Sequence, residues 1–208
     1  MKKRLPLLLL FLVLAGAAFW LWRNDRPTTF SADMADFIVP DSAKVDRIFI
    51  ALKDGKTVDL RRQGQAWTVN GLPARQSSVD LLLRTFRGAE VRSPVPGGMV
   101  DRVLKDMSVV GRKVEIYQGG KQPVKTWWIG AGTADHNGTY MLLERPGQGK
   151  SPRPFVVGLY GFKGLLDNRF HADLDSWRSQ RFTDHPDLSQ VQRIKVEHPL
   201  RPEDDLVL

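Results

Sequence analysis

Apolar positions fall along this chain in three patterns, and each predicts a different element. The first is an unbroken run from Leu5 to Trp22, eighteen residues without a charge. As a helix it would measure about 27 Å, near the hydrocarbon thickness of a bilayer. Leu5 and Leu10 lie in its interior, and Trp20 and Trp22 fall at its far end, where indoles favour the headgroup level. Lys2, Lys3 and Arg4 precede it, which by the positive-inside rule holds the N-terminus in the cytoplasm. Ala15-Gly16-Ala17 fits a signal-peptidase pattern, so cleavage is the competing reading. Phe19 to Trp22 continue the apolar run past that site, which favours an uncleaved anchor. Either way the remainder is expected outside the cytoplasm. The expected location is the inner membrane, with a periplasmic protein as the alternative.

The second pattern is two-residue alternation, the mark of half-buried strands. It covers Val45 to Leu52, Thr57 to Arg62 and Gln65 to Asn70, with turn signals at Asp54-Gly55 and Asn70-Gly71. It resumes from Val114 and Ile116 through the Gly119-Gly120 turn into Val124 to Ile129. Thr139 to Glu144, Phe155 to Leu159 and Gln190 to Glu197 complete the set, and Val91 to Pro96 is extended.

The third pattern is helical. Val79, Leu82, Leu83 and Phe86 share one face, with a capping-box spacing at Ser77 and Asp80 and a stop at Gly88. Val100, Val103, Leu104 and Met107 repeat the spacing between Gly98 and Gly111. A short helix is expected within Phe162 to Phe170. Hairpin-length connections make this an α+β fold with largely antiparallel sheet and two or three helices, preceded by one transmembrane helix. The expected organisation is a tip and anchor over 1–22, a stalk over 23–35 and a domain over 36–208.

One internal echo stands out. Pro40 to Ile50 and Pro186 to Val196 share the pattern P-D-x-x-x-V-x-R-I-x-[IV] without a gap. It predicts a truncated second repeat from about residue 181. Its strand would have to pair with the first unit or with another protein.

Composition narrows the chemistry. The net charge is +8, and Lys2, Lys3 and Arg4 contribute three of those units, leaving 28 basic and 23 acidic residues beyond them. That excess is mild and spread out, so no nucleic-acid footprint is expected. The absence of cysteine excludes disulfides, thiol catalysis, Cys-based zinc sites and lipidation of a cysteine.

His136, His171, His185 and His198 have carboxylates nearby in Asp135, Asp173 and Asp184. None has the spacing of a zinc motif, and turn or surface roles are expected. There is no G-x-S-x-G elbow, and Gly97-Gly98 and Gly119-Gly120 lack phosphate-loop patterns. No catalytic, metal or cofactor site is therefore assigned. Should the domain be a hydrolase, Asp135, His136, Asp173 and Asp184 are the groups to inspect. Trp127-Trp128 is the sharpest feature. Adjacent strand residues face opposite ways, so one indole should enter the core and the other lie outside it. An outward Trp can anchor a partner or stack on a sugar.

Four stretches carry a family resemblance. They are Phe37-Ile38-Val39 with Val45 to Ile48; Trp67 to Gly71 with the Ser78–Phe86 helix and Ser93 to Pro96; Lys113 to Tyr117 with Trp127 to Gly130; and Gly138 to Leu142 with Pro154 to Val157, Gly161-Phe162 and Trp177-Arg178. In their order and spacing the chain resembles the domain of unknown function DUF4340, in its short Bacteroidota-type form. The resemblance implies an envelope protein, with similar domains accompanying auxiliary subunits of ABC-type transporters linked to gliding motility. It brings no catalytic residues. The chain departs from longer relatives by ending soon after Pro202. The expected function is a membrane-anchored structural or interaction module engaging the bilayer and an envelope protein. A hydrolase or a glycan-binding protein is the alternative.

Overall fold

The computed structural model describes residues 14–16, 35–181, 189, 191–193, 195–197, 201, 203 and 206–207. Leu14 to Gly16 are helical. The expected anchor residues Leu5, Leu10, Trp20 and Trp22 lie outside the described residues, as do residues 23–34 of the expected 23–35 stalk. Among the described residues, no helix is long and apolar enough to cross a membrane.

The alternating segments become strands. A meander forms from β1 (Arg47–Ala51), β2 (Thr57–Gln63), β3 (Ala66–Val69) and a short β4 (Leu72–Pro73). Asn70 and Gly71 both take positive φ, 47° and 85°, as a tight hairpin turn there requires. Helix α1 (Gln76–Gly88) then leads to β5 (Ala89–Pro94), and α2 (Gly97–Val110) leads to β6 (Arg112–Tyr117). A second meander follows: β7 (Lys125–Gly132), β8 (Thr139–Arg145), the two-residue β9 (Gly149–Lys150) and β10 (Phe155–Leu159). All pairings are antiparallel, in the order β4-β3-β2-β1-β6-β7-β8-β10-β5, with β9 beside β8. The fold is thus α+β with a largely antiparallel sheet.

Helix α1 joins the strands at the two edges of the sheet, and its apolar stripe lies in the main core. Val79, Leu82 and Phe86 meet Ile48, Ile50, Leu60, Val69, Val114, Ile116, Trp127, Ile129 and Leu143 there. Each fully buried side chain of this size stabilises the fold by about 1.5–3 kcal/mol relative to exposure. Helix α2 packs on a second, smaller core through Val103 and Met107, with Val95 and Leu142. The strands alternate accordingly, as in β1, where Ile48 and Ile50 are buried, and in the first half of β2, where Val58 and Leu60 are.

Three expectations need correction. Helix α1 starts at Gln76, with Arg75 at the N-cap and no side-chain cap. The Ser77–Asp80 capping box is absent, and Asp80 instead accepts from Gln76 Nε2 at 2.8 Å. Phe162 to Phe170 is not an α-helix, and within it Gly164 takes φ of 152°, outside helical values. Only a 3-10 turn forms there, over Asp167–Arg169, and Leu166 and Phe170 reach the core from it. The helix in this region comes later, as the single turn α3 (Leu174–Trp177), which buries Trp177.

The last correction concerns the C-terminal unit, residues 179–208. Within it, β11 (Lys195–Val196) pairs antiparallel with β12 (Leu206–Val207). The strand that echoes β1 therefore takes its partner from its own unit. The chain turns back within eleven residues, and a local partner closes a shorter loop than a distant one.

Candidate functional site

Strand register builds one face of the sheet into a continuous polar and aromatic surface. Opposite the core, Arg47 faces Arg61 and Tyr117, Phe49 faces Asp59 and Glu115, and Lys113 faces Trp128. Trp128 in turn faces Leu142, and Thr126 faces Glu144. Helix α2 packs over the β7–β8 part of this side, and Trp128 packs against its cluster.

At one end of the surface sits Trp128. Its indole Nε1 donates to Glu144 Oε2 at 2.7 Å, which fixes the ring plane. Lysine ammonium groups surround the ring, with Lys150 at 3.7 Å, Lys113 at 5.6 Å and Lys53 at 6.0 Å from its centroid. These are cation–π distances, and a half-buried ring makes each contact stronger than in open water. Trp127 points the other way. It is fully buried against Phe37, Phe86 and Phe170. Contrary to expectation, Trp127 is therefore no part of the interaction surface, because no atom of it reaches solvent.

The middle of the surface is held by charge. Tyr117 Oη donates to Glu115 at 2.7 Å, and Lys113 pairs with the same carboxylate at 2.6 Å. Burial pushes the Glu115 carboxyl up, but the Lys113 and Tyr117 hydrogen bonds outweigh it and hold it below its ordinary value. Burial first, then the bond to Glu115, raises Tyr117, so it stays protonated as the donor.

At the other end Arg47 lies over the Tyr117 ring, 4.8 Å from its centroid, and near Phe49 at 5.6 Å. Arg47 donates to both oxygens of Asp59, at 2.8 and 3.2 Å, and Arg61 shares that carboxylate at 2.9 Å. The bond to Asp59 raises the Arg47 guanidinium above its ordinary value. Arg47, Arg61, Arg62, Tyr117, Gly119, Gly120, Lys121 and Asp46 line an open cleft of about 430 Å³.

Among the described residues, the carboxylate and imidazole groups do not assemble into one cluster. Asp135 accepts from Thr133 Oγ1 at 2.5 Å and from Asn137 N and Nδ2 at 3.2 and 2.9 Å. Those bonds hold its carboxyl down to about 2 and tie the β7–β8 loop. His136 is an exposed turn residue at φ 54° in that loop. Asp173 caps α3 by accepting from Ser176 N at 3.2 Å. His171 stacks on Trp177 at 4.8 Å, and burial lowers its pKa. Asp184, His185 and His198 lie outside the described residues. Among the described residues, no three His, Asp or Glu groups are placed to hold a metal ion.

Comparison with known proteins adds no assignment. No family model matches this chain, and neither a curated protein nor a solved structure does. The Trp127-Trp128 dipeptide announced one end of the surface. The Arg47–Tyr117–Arg61 end gave no sequence signal, because its members come from three strands and meet only through register.

Proposed function

We propose that this protein is a membrane-tethered binding module of the cell envelope, facing away from the cytoplasm. The apolar run fixes the domain beside the bilayer, and the outer sheet face engages a protein partner. The resemblance to DUF4340 extends the proposal to an auxiliary role beside an envelope transport or gliding-type ABC system. One observation carries the binding role: Trp128 is half-buried on the outer face, with its plane fixed by Glu144 and three lysines around it. A pre-oriented aromatic with a charged rim is the usual composition of a protein-contact anchor. Lys150 lies over one face of the ring at 3.7 Å, and that face is closed to sugar stacking while the contact holds. This favours a protein partner with carboxylates over a glycan.

The test is crosslinking of the full chain in native membranes, comparing it with Trp128→Ala. We expect a discrete crosslinked partner that Trp128→Ala loses while the unfolding free energy from urea titration stays within about 1–2 kcal/mol of wild type. An unchanged crosslinking pattern, or no partner with the wild-type chain, would remove the proposal.

A further inference from the structure

A second site lies at the opposite end of the same face. We propose that the cleft between the β1–β2 strand ends and the β6–β7 hairpin binds a phosphoryl group, held by Arg47, Arg61, Arg62 and Lys121. These four cations line one open volume of about 430 Å³. Against them stand Asp59, shared by Arg47 and Arg61, and Asp46, whose Oδ2 accepts from Gly119 N at 2.9 Å. Four positive groups against two carboxylates leave an excess of two.

The geometry is prepared rather than merely basic. Asp59 takes Nε and Nη2 of Arg47 and Nε of Arg61, which fixes both guanidinium planes. The Tyr117 ring supports Arg47 from below at 4.8 Å. Arg62 is tied to the Ala43 carbonyl oxygen through Nη1. Each guanidinium carries five N–H donors, so donors remain beyond those already used. Lys121 approaches from the hairpin, so donors come from more than one strand. A tetrahedral oxyanion with several acceptor oxygens suits that arrangement, and fixed guanidinium forks favour phosphate.

Two sources carry this chemistry: a phospholipid headgroup and a soluble phosphate ester. The lipid source rests on the tethered reading above; the cleft itself does not. Asp36 pins the chain to the sheet, through Lys125 Nζ at 3.0 Å and Arg145 Nη2 at 2.5 Å. The following segment runs beside the same hairpin, where Gln118 Nε2 donates to Asp41 O at 2.7 Å. The cleft therefore sits at the end of the sheet that Asp36 and Asp41 border. The thirteen residues from 23 to 35 can span at most roughly 45 Å.

The experiment uses the full chain in neutral detergent micelles. Inorganic phosphate is titrated by calorimetry against chloride at equal ionic strength. Native mass spectrometry then counts phosphatidylglycerol bound from doped micelles. We expect saturable binding of at least one probe, weakened roughly tenfold or more in Arg61→Gln/Arg62→Gln, which removes charged hydrogen-bond donors from the cleft. Lys105→Gln on exposed α2 should bind as wild type. If the double variant unfolds, Lys121→Gln, in an exposed hairpin, must show the weakening instead. Loss of bound lipid identifies a headgroup, and loss of phosphate binding alone identifies a soluble ester. Binding no stronger than chloride, or binding indifferent to these variants, overturns the proposal. Failure of tethering would abolish neither phosphate binding nor its sensitivity to Arg61 and Arg62.

Discussion

Trp127 and Trp128 differ by one position and by nearly everything else. Trp127 is enclosed by three phenylalanine rings, and its Nε1 has no hydrogen-bond partner. Phe86 stands edge-on to it at 5.1 Å and 90°. Packing dispersion and weak contacts with ring faces must offset the lost hydrogen bond. Strand alternation alone announced that the two indoles would part, but it could not say which one goes inside. His171 was legible only as a residue near Asp173. The structure stacks it on Trp177, whose Nε1 donates to the His171 carbonyl at 2.9 Å. Burial, reinforced by Arg112 and opposed by Asp173, lowers its folded pKa below the ordinary 6.5. The unfolded chain then binds more protons in the window beneath 6.5, so stability falls as pH drops through it. We expect the wild-type midpoint temperature, relative to that of His171→Phe, to decline between about pH 7 and about pH 5. A constant difference between the two proteins across that range would show that His171 does not titrate there.

At the scale of elements, periodicity located most strands and both long helices, because each buries one face. It failed where turn chemistry competes. The Phe162–Phe170 segment has apolar residues at helical spacing, yet Gly164, at φ 152°, breaks it. The packing of α2 on the sheet depends on a position that periodicity does not flag. A Cβ at Gly130 would lie 2.6 Å from Met107 Cγ and 3.2 Å from the Tyr140 carbonyl oxygen. Met107 is a core residue of α2, so the missing side chain lets the helix seat on β7 and β8. Gly130→Ala should cost about 1–3 kcal/mol by overpacking. A urea midpoint unchanged from wild type would mean that Met107 moves aside without loss. Lys105→Ala on the exposed side of the same helix should leave the midpoint nearly unaltered.

For the whole molecule, the leading question is how the domain is held in place. The apolar run argues for an intact anchor. We expect the full chain to stay in the membrane fraction after an alkaline carbonate wash, with an intact mass that retains Phe19 to Trp22. A mature N-terminus at Ala18 would replace the anchor with a cleaved signal.

The sequence by itself determined the α+β class, the positions of its main strands and helices, and the apolar run, because these follow from the local spacing of apolar residues. Tertiary structure alone decided the strand order, in which β1 joins the two meanders and α1 connects opposite edges. It also decided that β11 pairs with β12. Above all it assembled the face from Trp128 to Arg61. Lys113, Tyr117, Arg47 and Arg61 become neighbours through antiparallel register, a long-range property that no local pattern encodes.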